Sequence, residues 1–259
     1  MATPGGAVSK NKDPGGPPDG PLEIPPFESG DDFLACVTKE EARVRLAAPA
    51  GVSATPFSWV DPKKIPRRQW IYGRHYIRKF ITETVAISGA GKSFLVMTEA
   101  LAIVTGRPLL DVTPEDRANV WCWNGEDPME ELQRRLAAVI LFYKINPTEI
   151  DGRLFVDTGR KTKIIVAEQT RTGARVFRPI VDAVIAEIKA NEIGLMIVDP
   201  FVASHRVIEN DNPAIELVAA TWAEIADITG CAVELVHHAR KTLEGAKITS
   251  TTAVADQRF

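Results

Sequence analysis

The stretch Thr84-Val85-Ala86-Ile87-Ser88-Gly89-Ala90-Gly91-Lys92-Ser93 decides the fold. Thr84–Ile87 is a short β-prone segment. Ser88-Gly89-Ala90-Gly91 follows it, and a helix is predicted from Lys92 to Thr105, with Gly106 as a natural C-cap and Pro108 just beyond. A strand, a glycine-rich turn and a helix in this order fit the phosphate-binding pattern G-x-x-x-x-G-K-[ST], with Ala86 in place of the first glycine. The residue types follow from the chemistry. Gly89 and Gly91 let the main chain turn tightly so that successive N–H groups point at an anion. A helix beginning at Lys92 adds the positive end of its dipole. Lys92 can reach the outer phosphates of a nucleoside triphosphate, and Ser93 can hold Mg²⁺.

Outward from this loop, strand and helix signals alternate. Asn119–Trp123 reads as a strand, and Pro128 opens a helix, Met129–Tyr143, with Leu132, Leu136, Val139 and Ile140 on one face. Arg153–Val156 is a short strand, and residues 157–178 are polar and irregular, a hairpin or a loop. A helix is predicted from Pro179 to Ala190. Leu195-Met196-Ile197-Val198 is a continuous apolar strand of the kind buried on both faces in a parallel sheet. Pro213 opens a helix to Thr229 that Gly230 ends, and Cys231–Val236 is a further buried strand. The alternation predicts an α/β fold with a mainly parallel sheet flanked by helices.

The remaining sequence sets limits. Seven prolines and six glycines fall in the first thirty residues, so residues 1–30 are expected to be a disordered tail. Residues 31–80 read as a lead-in with a helix at Asp32–Ala47, and residues 81–259 as the main domain. A net charge of −3 argues against a broad basic surface. The three cysteines, Cys36, Cys122 and Cys231, show no zinc or disulfide spacing. No run is apolar enough for a membrane span and no leader is evident, so a cytoplasmic location is expected.

Three further positions carry chemistry. Asp199, directly after the apolar strand, sits where open α/β sheets bind ligands and suits a Mg²⁺-holding aspartate. A loop-opening Asp before Pro200 is the bland alternative. Glu126, in Asn124-Gly125-Glu126-Asp127, follows the strand at Trp121 and can orient or deprotonate a water; a simple turn acid is the alternative. Asp127 before Pro128 is expected to be an N-cap. His237-His238 close the last strand, and alternation turns them to opposite faces; one can contact a terminal phosphate, or the pair is a polar strand end. His75 and His205 show no evident partner.

The order of these motifs resembles the RecA-like AAA-25 ATPases, which include plasmid replicative helicases of the RepA type. The carrying residues are Trp70-Ile71-Tyr72-Gly73-Arg74-His75 with Ile77-Arg78, Gly89-Ala90-Gly91-Lys92-Ser93, Asn124-Gly125-Glu126-Asp127, Val198-Asp199-Pro200, Glu209-Asn210-Asp211-Asn212 and Val236-His237-His238-Ala239-Arg240-Lys241. The resemblance implies a RecA core with the 231–236 strand between the strand before the loop and the Asp199 strand. It implies ATP and Mg²⁺ as ligands: Ser88, Gly89, Ala90, Gly91, Lys92, Ser93 and Phe94 around the nucleotide, and Ser93 and Asp199 on the metal. It also implies Glu126 and Lys92 in catalysis, and His238 as the γ-phosphate sensor. Relatives form hexameric rings around single-stranded DNA, which implies a homo-oligomer and a DNA partner, with no membrane. Relatives continue past the last strand with an Arg-Gly-Ser-Ser segment that has no match in Ile248–Phe259. The expectation that follows is a truncated member that binds ATP but hydrolyses it slowly. A non-motor ATP-binding regulator and a fragment without working function are the other readings.

Overall fold

A computed structural model describes residues 54–238 of the chain. The helix expected at Asp32–Ala47 and the segment after His238 lie outside the described residues. The chain divides after Pro62 into two units, and among the described residues all sheets and α-helices lie in the second.

A short antiparallel pair, β1 (Trp70–Tyr72) and β2 (Tyr76–Ile77), comes first. The main sheet follows, built from β3 (Ile81–Ala86), β4 (Asn119–Asn124), β5 (Leu154–Thr158), β8 (Ile193–Asp199) and β10 (Ala232–His238). Its five strands run parallel in the order β3-β10-β8-β4-β5. The last strand among the described residues therefore lies between β3 and the Asp199 strand, as the resemblance implied. Residues 157–178, ambiguous in the sequence, fold as a hairpin of β6 (Ala167–Thr170) and β7 (Gly173–Val176), and β9 (His205–Arg206) pairs with β6.

Among the described residues four α-helices complete the layers: α1 (Lys92–Thr105), α2 (Met129–Tyr143), α3 (Arg178–Ala190) and α4 (Asn212–Thr229). Two apolar clusters show how they cover the sheet. One joins Val96, Leu101 and Ile103 of α1 and Leu132, Leu136 and Val139 of α2 to Val120, Cys122, Leu195, Ile197, Ala232 and Val236. The other joins Val181, Val184 and Ile188 of α3 and Val218, Trp222 and Ile225 of α4 to Trp121, Trp123, Met196, Val198, Val233 and Leu235. Each strand thus sends alternate side chains to opposite layers, which is why these strands read as unbroken apolar runs. Burying one such Val, Leu or Ile contributes about 1.5–3 kcal/mol. Trp121 and Trp123 satisfy their indole N–H groups on the Asp157 carboxylate (3.0 Å) and the Thr162 carbonyl (2.8 Å). Gly106 and Gly230 close α1 and α4 in the left-handed conformation, as expected of C-caps. Cys122 and Cys231 are buried free thiols, and burial pushes both up to about 12.

One side chain breaks the apolar pattern. Glu234 lies in the middle of β10, 0% exposed, and no hydrogen bond of good geometry reaches its carboxyl oxygens among the described residues, Thr84 alone approaching loosely. It faces the α1 layer, where Tyr76 donates to Glu99 (2.7 Å) and the His75 ring lies 3.2 Å from the other Glu99 oxygen. His75 therefore has a partner that the sequence did not reveal, because β1 and β2 fold it back onto α1. Burial raises the Glu234 carboxyl to about 8, Glu99 and Glu83 push the same way, and Thr84 opposes them. The folded protein thus holds a proton that the unfolded chain releases near pH 4.5. This raised value stabilises fully below the unfolded pKa, and the gain is lost as pH rises through the folded one. Thermal stability is expected to fall between about pH 4.5 and 8. Glu234→Gln should flatten that slope and raise the melting temperature at pH 8. Parallel melting curves of the two proteins across this range check it; an unchanged slope refutes the assignment.

Candidate functional site

The parallel register sets the site. It aligns His238 with Ala86, Asn124 with Asp199, and Asn124 with Thr158, so one row of residues forms the carboxyl edge of the sheet. Ala86, His238, Asp199 and Asn124 also share the parity of the side chains that face α1. The loop between β3 and α1 therefore opens onto the face where these polar ends project.

That loop has the geometry its glycines suggested. Gly89 (φ 80°) and Gly91 (φ 87°) take left-handed conformations that cost an L residue about 1–2 kcal/mol. A Cβ at either would meet nothing within 4 Å, so the space over the loop is open. Gly91 precedes the first turn of α1, and the Leu95 N–H donates to its carbonyl at 3.0 Å. Ser88, Gly89 and Ala90 are exposed, as is Phe94 in the first helical turn. Lys92 is buried, and its ammonium donates to the carbonyls of Ala86 (2.7 Å) and Ile87 (2.9 Å). Burial lowers its pKa, while Asp199 favours its charged form.

Asp199 ends β8 almost fully buried, beside Ser93. Burial raises its carboxyl; the Ser93 hydroxyl, which donates to it, lowers it, as do the charges of His238 and Arg135. The Asn124 amide reaches the same carboxylate at 3.4 Å. Ser93 and Asp199, far apart in sequence, are thus brought together, with His238 near enough to act on the Asp199 carboxyl electrostatically. His237 turns to the other face, where it approaches Phe201 (ring centroids 5.9 Å) and Glu83 (3.9 Å). A cavity of about 380 Å³ opens at this end of β10, lined by His205, Phe201, Glu209, Asn210, His237 and, at the strand end, His238. His205 packs on Phe201 and has a buried Nε2 without a partner among the described residues.

Glu126 is exposed in the turn after β4. The turn is held from beneath by Asn124, whose Oδ1 accepts from the amides of Glu126 (3.0 Å) and Asp127 (2.7 Å). The Gly125 amide donates to the Asp199 carbonyl (2.8 Å) and the Gly159 amide to the Asn124 carbonyl (2.7 Å), so the ends of β4, β5 and β8 are tied together. Asp127 is not the N-cap expected of it. Pro128 takes that position, and the Asp127 carboxylate instead accepts from Arg135 at 2.7 Å. The guanidinium nearly two turns into α2 offers a charged hydrogen bond that a backbone amide cannot match. Sequence reading missed Asn124 and Arg135. The Asn-Gly pair at the strand end was the available signal for Asn124.

Ser93 and Asp199 form an oxygen pair suited to Mg²⁺, and the open loop with Lys92 behind it suits a phosphate chain, so the residues fit both ligands. A family model described as an AAA domain (AAA_25) matches residues 45–244, most of the chain. The chain belongs to this AAA domain family. No curated protein matches it. The AAA domain brings nucleotide binding and hydrolysis as its general chemistry, and the parallel sheet with its loop at the carboxyl edge carries the corresponding core. No helix among the described residues of this AAA domain is long and apolar enough to cross a membrane.

Proposed function

We propose that this chain binds Mg-ATP at Ser88–Phe94 and hydrolyses it, working on single-stranded DNA as an oligomeric motor of the replicative-helicase type. The observation that carries the reading is the convergence of Ser93, Asp199 and Lys92 at the mouth of the glycine loop. Main-chain amides and the start of α1 receive the phosphates, with Lys92 neutralising the outer ones. Ser93 and Asp199 hold Mg²⁺, which supplies charge neutralisation on the phosphates. Glu126, exposed and without an ion pair among the described residues, orients the attacking water and takes its proton. His238, at the carboxyl end of β10 opposite Ala86, senses the terminal phosphate. The DNA and ring-forming parts rest on the resemblance and on membership of the AAA domain family.

Titration of the purified chain with a fluorescent ATP analogue, with and without magnesium, tests the core of this reading. Magnesium-dependent binding is expected. Phosphate release with and without a single-stranded oligonucleotide, together with the mass of the native species, tests the motor. Absence of any nucleotide binding ends the proposal.

A further inference from the structure

Residues 157–178 hold six basic side chains against two acidic ones, in a chain whose net charge is −3. Both acids are engaged: Asp157 accepts from Trp121 (3.0 Å) and Glu168 pairs with Arg175 (2.9 Å). Arg178 pairs with Glu224 at 2.6 Å. Four cations remain, Arg160, Lys161, Lys163 and Arg171, all exposed and without an ion pair among the described residues.

The segment that carries these four rests on a firm base. The turn after β5 carries Arg160 and Lys161 at the carboxyl edge, closed by the amides of Lys161 (3.0 Å) and Thr162 (2.8 Å) on the Thr158 carbonyl. Trp123 anchors the Thr162 carbonyl, and Ile164 and Val166 are buried on either side of Ile165. The β6–β7 arm then carries Arg171 at its tip, about 13 Å beyond the start of β6 by strand rise. Phe177, 38% exposed, follows the hairpin and is held by its amide on the Val166 carbonyl (2.8 Å). Four exposed cations and a part-exposed aromatic ring on one anchored segment suit a polymer that carries regular negative charges and stackable rings. Arg160 adds a second property: its Nε donates to the Glu126 carbonyl at 3.2 Å.

We propose that Arg160, Lys161, Lys163 and Arg171 take the phosphate backbone of single-stranded nucleic acid, and that Arg160 transmits its arrival to the Glu126 turn. The surface is sequence-independent, because its contacts go to phosphates and ring faces. The second clause rests on the hydrolytic role given to Glu126; the first does not. A phosphate that draws the Arg160 guanidinium away from the Glu126 carbonyl alters the position of the Glu126 carboxylate, so strand binding changes turnover. Arg160 is a positioning residue in this scheme.

The test of the surface needs no nucleotide. Fluorescence anisotropy measures binding of a labelled oligothymidylate of about twenty nucleotides to the full chain. Lys161→Glu/Lys163→Glu is compared with Arg134→Glu/Lys189→Glu, which makes the same charge change on other exposed surface. The first pair is expected to weaken binding at least ~10-fold, and to reduce the salt slope by about 1.4 for two lost phosphate contacts. The control pair should stay within about threefold. Equal losses in both pairs, no loss in either, no binding by the unaltered chain, or equally tight binding of poly-glutamate would each overturn the assignment. Binding of the fluorescent ATP analogue is measured in parallel, so failure of the nucleotide site shows separately. For the coupling, Arg160→Ala is expected to lower the ratio of strand-stimulated to basal kcat at saturating oligonucleotide. A purely structural role would lower both rates together and leave that ratio unchanged, which overturns the coupling, as does absence of stimulation in the unaltered chain.

Discussion

Lys92→Ala is expected to lower Mg-ATP turnover by about 10²- to 10³-fold, the usual loss when one preorganised electrostatic stabiliser is removed. The fold should survive. Lys92 gives hydrogen bonds to Ala86 and Ile87, and Ile87 is exposed enough for water to replace the donor. The stability cost is therefore about 1 kcal/mol, near the net value of one ordinary hydrogen bond. Phosphate release and thermal melting on the same preparation separate the two effects. Turnover within threefold of the parent would remove Lys92 from the mechanism, and a collapsed melt would assign it a structural role instead.

Gly125→Ala should act through packing. A Cβ at Gly125 would stand 2.1 Å from the Ala203 Cβ and 3.0 Å from the Trp123 ring. Neither neighbour yields easily: Trp123 is 1% exposed and tied to Thr162, and Ala203 sits in the turn Phe201–Ser204. The expected loss is about 2–3 kcal/mol, at the upper end for overpacking. Turnover should fall as well, because Glu126 is the next residue and Asn124 the last of β4. Gly125→Ala/Ala203→Gly removes the clash and should recover much of the stability. An unchanged melting temperature for Gly125→Ala would show that the turn is slack.

Helices α1 and α2 were legible residue for residue, since their ends carry strong punctuation: the glycine loop and Gly106 for one, Pro128 for the other. Buried strands were legible as apolar runs, although β3 begins at Ile81, earlier than its β-prone core suggested. The hairpin at 167–176 was ambiguous because its residues are mostly half-exposed and polar, and its partner β9 comes some thirty residues later. At the site, Lys92, Ser93 and Asp199 were legible because each sits at a fixed offset from a strand end. Arg160 was not, for its bond to the Glu126 carbonyl depends on β4 and β5 becoming neighbours; Asn124 and Arg135 act within one local turn and helix, where their residue types alone do not single them out. Glu234 was hidden for a related reason: an acid within an apolar run is visible, but its proton is a property of the layer that covers it.

The two-residue repeat of β10 has a consequence for how the protein can change. Glu234 and His238 lie on the same side of one ribbon, four positions apart. A slide of that ribbon by a single step would carry the acid from one apolar layer into the other, where Val233 and Leu235 now lie, and it would aim the imidazole away from Asp199 and send its neighbour His237 in its place. The acid gains no water by that slide, so its burial gives the ribbon no reason to leave its register. Replacement of Glu234 should therefore change stability and leave the register that sets His238 opposite Ala86 as it is.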